Sequence, residues 1–220
     1  MQADKLISSR IESIHPEESG VKALEMMDVF RINHMAIVRG TYFLGVISDK
    51  EILNWDSSDE YIAEHLNNIA SPHVRYDQHL FDIIEVLEEN NLSVVPVLDE
   101  NNLYKGVITG RKLLYTIGNS ETIKSQGGVI VLEMNHNDYS LTEIASIVEG
   151  NNVKILSSYI ISQPESMKIE VTLKLNKRDI KSIIRDFERY EYIVSASYKE
   201  EDDDGDFLDR YESLMKFLNP

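Results

Sequence analysis

The sequence predicts a mixed chain: a duplicated α/β unit followed by an α+β domain of split βαββαβ order. Three observations lead there. Gly45-Val46-Ile47-Ser48-Asp49-Lys50-Glu51 and Gly106-Val107-Ile108-Thr109-Gly110-Arg111-Lys112 are two copies of one device. In each, a glycine and two β-branched residues make a short buried strand, which a hydroxyl residue closes. A polar turn then enters an apolar helix start, Ile52-Leu53 or Leu113-Leu114. The surroundings repeat as well: Phe81, Ile84 and Leu87 stand sixty positions after Val21, Leu24 and Met27, and Val97-Leu98 after Ile37-Val38. From Gly127 onward the pattern changes to strand, helix, two strands, helix, strand.

Composition narrows the class of function. Hydrophobic residues at 42% and charged residues at 27% describe a folded globular chain. No apolar run approaches the ~18 residues of a membrane span, and the start lacks a signal-peptide core. Cysteine is absent, which removes disulfides, thiol nucleophiles and zinc–thiolate sites and fits a reducing cytoplasm. A net charge of −16 argues against nucleic acid as a partner, although a small nucleotide needs only a local pocket.

Taken in order, Leu6, Ile7 and Ile11 form a short N-terminal element. A helix follows with Val21, Leu24, Met27 and Phe30 on one face. Ile32 to Val38 reads as a break followed by a strand, Arg39-Gly40-Thr41-Tyr42 as a turn, and Phe43 to Ile47 as the return strand that ends at Ser48. The second copy runs the same course with a turn one residue longer, at Asp99-Glu100-Asn101-Asn102, where insertion is tolerated. In the third region Val129 to Met134 is a strand. Ser140-Leu141-Thr142-Glu143 is a capping-box sequence opening a helix that Gly150 ends. Val153 to Ile161 is a strand, and Ile169, Val171, Leu173 and Leu175 alternate with polar residues as another. Asn176 caps a helix striped by Ile180, Ile183, Ile184 and Phe187, and Tyr192 to Tyr198 is the last strand. An acidic linker over 200–206 precedes an apolar helical repeat from Phe207 to Leu218, a terminal helix for docking on this chain or on another subunit.

Asn91-Leu92-Ser93-Val94-Val95-Pro96-Val97-Leu98-Asp99, a turn, then Gly106-Val107-Ile108-Thr109 resembles the signature of a CBS domain. The resemblance covers residues 5 to 120 as a tandem pair and is stronger in the second copy; the first has Ala36 where the second has Pro96. It implies an α/β disc with two clefts that commonly bind adenosine nucleotides such as AMP, ADP or ATP. The βαββαβ region, by length and by its position after such a pair, resembles an ACT or ACT-like domain, a family of amino-acid sensors. Together the two resemble the acetoin-utilisation type of regulatory protein. The expected boundaries are 1–60 and 61–124 for the CBS domains, 125–199 for the ACT-like domain, 200–206 for the linker and 207–220 for the terminal helix.

The family places a hydroxyl on ribose or phosphate and, three residues on, an aspartate on the ribose diol. Ser48 and Thr109 match the hydroxyls, whereas Glu51 and Lys112 stand at the aspartate positions. Glutamate can still accept from a diol. Lysine only donates, so Lys112 suits a phosphate instead, and Arg111 beside it at a helix start also suits an anion. The module is expected to bind nucleotide at one site and not the other, or to prefer a polyphosphate. Against a ligand at the first site, Ser48-Asp49-Lys50-Glu51 is itself a capping box. Met35 and Val95 are candidates to line the adenine, with plain core packing as the alternative. In the ACT-like region Asn137 and Asp138 are the polar candidates for an amino-acid site. The loop lacks the family's glycine, which favours a structural or dimer-forming role.

No catalytic motif or metal-ligand spacing links the six histidines, so neither an enzyme nor a metal site is expected. The reading is a cytoplasmic, homodimeric regulatory protein with no required cofactor, sensing an adenosine-type ligand and relaying occupancy to the ACT-like domain or a regulated protein partner. The alternatives are a ligand-free dimeric scaffold and an ACT-type amino-acid sensor with a vestigial CBS pair.

Overall fold

The computed structural model describes residues 1–8, 10–162 and 166–198, and the chain divides after Asn119 into two compact units. The acidic linker and terminal apolar repeat lie outside the described residues. The first unit contains α1 (Gly20–Phe30), β1 (His34–Arg39), β2 (Tyr42–Ser48), α2 (Asp49–Leu53), β3 (Val74–Arg75), α3 (Leu80–Glu89), β4 (Val94–Leu98), β5 (Tyr104–Thr109) and α4 (Gly110–Gly118). Short 3-10 turns at Ala3–Leu6 and Ile62–Asn68 complete it.

The repeat seen in the sequence is repeated in the pairing. Met35 stands opposite Ile47 in the antiparallel β1–β2 hairpin, and Val95 opposite Ile108 in β4–β5. Both hairpins shift register at the same place, between Ile37 and Val38 and between Val97 and Leu98. The leading segment of each repeat crosses to the other: Ser8 N–H donates to Val107 O at 2.8 Å, and Val46 N–H donates to Ala70 O at 2.9 Å. Glycine permits both crossings. A Cβ on Gly45 would meet Ile69 Cγ2 at 2.4 Å and the Ala70 carbonyl oxygen at 2.8 Å; one on Gly106 would meet Ile7 Cγ2 at 2.6 Å. The crossing continues into the cores, where Ala3 and Leu6 pack with Val97 and Ile108 of the second repeat, while Val94 and Val107 join the first.

The helix faces correct the sequence reading. On α1 the buried residues are Gly20, Ala23 and Met27, and Val21 is exposed. On α3 the buried residue is Ile83, whereas Phe81 is 72% exposed. The small residues mark the closely packed face: a Cβ on Gly20 would meet Ile52 and Trp55 at 2.6 Å. Val21 and Phe81 lie off it, while Met27 and Ile83 are buried.

The second unit opens with α5 (Glu121–Lys124). There follow β6 (Val129–Asn135), α6 (Leu141–Gly150), β7 (Ile155–Ser162), β8 (Lys168–Leu175), α7 (Lys181–Arg189) and β9 (Ile193–Tyr198). This is the βαββαβ sequence expected, closed into an antiparallel sheet of order β7-β8-β6-β9. Ile169, Val171, Leu173 and Leu175 are buried, joined in one core by Ile144, Val148, Ile183 and Phe187 from the helices. Two caps differ from expectation. Ser140 accepts from Glu143 N–H at 3.3 Å, but the Glu143 carboxylate accepts from Tyr192 Oη at 3.1 Å instead of closing the box. Asn176 caps no helix; its side-chain oxygen accepts from Lys154 N–H at 2.8 Å, tying the α6–β7 loop to the end of β8.

Candidate functional site

The two hydroxyl residues end β2 and β5 and stand at the N-caps of α2 and α4 in extended conformation. Backbone bonds hold the turns alike, Asp49 N–H to Asn33 O at 3.0 Å and Gly110 N–H to Ser93 O at 3.3 Å. Beyond that the sites diverge.

At the first, Glu51 Oε2 accepts from the Ser48 N–H and from the Ser48 hydroxyl, each at 2.7 Å, while Ser48 Oγ accepts from Glu51 N–H at 3.2 Å. The carboxylate the sequence offered for a ribose diol is already occupied, and α2 is only five residues long, so its dipole is weak. The cavity touching Glu51 is about 260 Å³, walled by Trp55, His65 and Ile69. Trp55 and His65 stack at 3.8 Å and further occupy that side. Asp49 opens instead on a separate cavity of about 430 Å³ that Asp28 also lines.

At the second, Thr109 Oγ1 accepts from Lys112 N–H at 2.9 Å, which leaves its own O–H to donate. No acidic residue closes a box, and α4 runs nine residues. Here a cavity of about 600 Å³ opens, a volume ordinary for small-molecule sites. Thr109, Gly110, Arg111 and Lys112 line it, with Arg10 and Arg31 as further cations. Ser8 and Ser93 add hydroxyls, and Ile7, Ile11, Phe30, Ile32 and Tyr115 form the apolar wall.

Thr109, Arg111 and Lys112 line this cavity together, and Ser48 and Glu51 do not. Met35 and Val95 are core residues, 1% and 0% exposed, because their strands are covered on both faces; neither lines the cavity. Arg10, Arg31 and Ser93 escape a reading of local motifs. They arrive through the crossing of the N-terminal segment and the meeting of the two repeats. The structure makes Ile7-Ser8 the counterpart of Ile69-Ala70, since Ile7 meets Gly106 as Ile69 meets Gly45, but their separation departs from the sixty-residue repeat, which therefore did not signal the crossing.

A bonded chain joins the two helix starts. Asn33 N–H donates to Ser93 Oγ at 2.9 Å, and Asn33 Nδ2 donates to Asp49 Oδ2 at 2.7 Å. Ser93 N–H donates to His34 Nδ1 at 3.2 Å, and the Ser93 hydroxyl lies at the same distance from that nitrogen. Burial lowers the His34 pKa below its ordinary value, against the pull of Asp49 and Glu51. Where the hairpins meet, Tyr104 stacks on Phe43 at 6.4 Å. Among the described residues its buried hydroxyl has no hydrogen-bond partner, and burial pushes its pKa up to about 12.

In the second unit Asn137 and Asp138 are exposed on a short 3-10 turn, with the Asp138 carboxylate accepting from Asn135 Nδ2 at 2.8 Å. Among the described residues no group of three or more histidine, aspartate or glutamate side chains is placed to hold a metal, and no helix is long and apolar enough to cross a membrane.

The family model for the CBS domain matches residues 3–58 and 67–119. Among solved structures the chain is similar to a CBS domain pair/ACT domain protein from Thermotoga maritima. That match has 19% identity over 53% of this chain and 96% of that one, with a TM-score of 0.47. It is similar also to CBSX2 in complex with AMP, at 18% identity over 53% and 95% with a TM-score of 0.46. A third is the cytosolic domain of the Mg2+ channel MgtE in complex with ATP, at 19% identity over 52% and 48% with a TM-score of 0.44. No curated protein matches the sequence.

Proposed function

We propose, on the premise that this chain carries a tandem pair of CBS domains, that it is a non-catalytic regulatory protein whose second cleft binds an adenosine-type nucleotide. The observation that carries this reading is the cavity of about 600 Å³ at the start of α4, where a free hydroxyl, cationic side chains and an apolar wall converge. The apolar wall suits a base, and Thr109, Arg111 and Lys112 suit the phosphates. The first cleft, closed by its own capping box, is structural.

Occupancy would act by favouring one of two arrangements of the pair, relayed to the βαββαβ unit, which we read as ACT-like, or to a protein partner. A homodimer fits the apolar residues that α3 and α4 leave outside, Phe81 at 72% and Leu114 at 74% exposed. The layout is that of the acetoin-utilisation type, and the setting we assign is the cytoplasm.

Thermal melting of the full chain with AMP, ADP and ATP tests this. A ligand at ~100 times its dissociation constant adds about 2.7 kcal/mol, a plain upward shift in Tm. The shift is expected to survive Ser48→Ala and to shrink in Arg111→Ala and Lys112→Ala. No shift with any nucleotide would contradict the proposal and favour the scaffold.

A further inference from the structure

We infer that the second cleft selects its ligand by consecutive phosphates and not by the ribose diol, so that it takes nucleoside di- and triphosphates of the ribo and deoxyribo series alike. This rests on the nucleotide reading of that cleft and narrows it to a ligand class.

Charge is the first reason. Of the chain's 22 basic residues, Arg10, Arg31, Arg111 and Lys112 line this one cavity, and among the described residues none of the 38 acidic ones does. In a chain of net charge −16 that is a strong local reversal. Smaller cavities of the same unit show the ordinary mixture, with Asp28 and Asp49 in one and Glu12, Glu18 and Glu25 in another. Arg31 is partly engaged, 3.2 Å from Asp28, whereas Arg10, Arg111 and Lys112 have no carboxylate partner among the described residues. A phosphate monoester carries a charge of about −1.5 to −2, which two cations balance. Four cations match a longer phosphate chain.

The second reason is the missing acceptor. A site rejects an analogue lacking a hydroxyl when the loss strands a group built to bind it. At the position three residues after Thr109 stands Lys112, an ammonium that can only donate. The remaining side-chain acceptors are the hydroxyls of Ser8, Ser93, Thr109 and Tyr115, all neutral, and two of these already accept a backbone N–H: Ser93 from Asn33 and Thr109 from Lys112. Removing the 2′-hydroxyl of a ligand therefore leaves no buried carboxylate unpaired. The phosphates have room beside the turn, since a Cβ built on Gly110 would meet nothing within 4 Å.

Calorimetric titration of the full chain with AMP, ATP, dATP and inorganic tripolyphosphate, repeated on Lys112→Asp, decides the matter. ATP is expected to bind about tenfold or more tighter than AMP, the added charge-assisted contacts setting the scale. dATP should fall within about threefold of ATP, because no stranded acceptor opposes it. Tripolyphosphate should compete with ATP. Lys112→Asp should weaken ATP and make dATP the poorer of the two, since an acceptor then faces the diol. AMP binding as tightly as ATP, with dATP about tenfold weaker, would overturn the phosphate selection while leaving the nucleotide reading intact. Tripolyphosphate binding with no nucleotide bound would overturn the nucleotide reading and keep the selection. Silence from all four would overturn both.

Discussion

At Ser48 and at Thr109 the same device, a hydroxyl that closes a strand and opens a helix, leads to different ends. Three residues after Ser48 a glutamate folds back and takes both the hydroxyl and the backbone N–H, each at 2.7 Å, so the first helix start is satisfied from within. Three residues after Thr109 a lysine offers only its backbone N–H, and the side-chain charge faces a cavity of about 600 Å³. Positive charge at a helix start is unfavourable unless an anion answers it. On the proposed reading, a duplicated unit keeps one copy for stability and leaves the other for a ligand, through the residue three positions past the hydroxyl.

The largest test of that contrast lies in the glycines at the crossings. Gly45→Ala pushes a Cβ against the Ala70 carbonyl oxygen as well as a side chain, whereas Gly106→Ala meets only the movable Ile7 side chain. Chemical denaturation is expected to show a loss of about 3 kcal/mol for the first and about 2 kcal/mol for the second. Equal losses would show that the two crossings are not held differently. Next come the ligand-facing residues. Lys112→Ala should lower nucleotide affinity by about tenfold with little change in stability, a charge-assisted contact being worth about 1.5–3 kcal/mol. Glu51→Ala should leave affinity unchanged. Ser48→Ala should cost about 1 kcal/mol of stability through the lost cap and nothing in binding.

Much of this was legible in the sequence because it is written in local periodicity. The alternation of Ile169, Val171, Leu173 and Leu175 gave β8, and the Ser48–Glu51 spacing gave a true capping box. What local pattern could not show was which apolar stripe turns inward. On α1 the decision rests with Gly20 and Ala23, whose small size allows close approach, and the bulkier Val21 is left exposed. For Met35 and Val95 the resemblance leaves an adenine wall and plain core packing both open, and strands covered on both faces hold them in the core. Arg10 reaches the cleft only because the N-terminal segment pairs with β5 across a separation of about a hundred residues, as the Ser8–Val107 bond shows.

Two smaller effects sharpen the picture where the repeats meet. Tyr104→Phe removes a buried hydroxyl with no partner among the described residues and should stabilise the fold by up to about 1 kcal/mol. Because the folded pKa is about 12 against an ordinary 10, the unfolded state ionises first; stability falls as pH rises above 10, and the variant should flatten that fall. His34 acts at the other end of the scale. Its folded pKa lies below the ordinary 6.5, so the unfolded chain binds the proton first and stability drops as pH falls below 6.5. Denaturation at pH 7 and pH 5 should show a smaller difference for His34→Gln than for the wild type.

The most direct measurement is the stoichiometry of ATP binding to the full chain, by calorimetry, in the wild type and in Ser48→Ala and Lys112→Ala. One ATP per chain is expected, with the same affinity after Ser48→Ala and a weakened one after Lys112→Ala. Two ATP per chain, or a single site lost with Ser48→Ala and kept with Lys112→Ala, would contradict the division of labour between the two clefts.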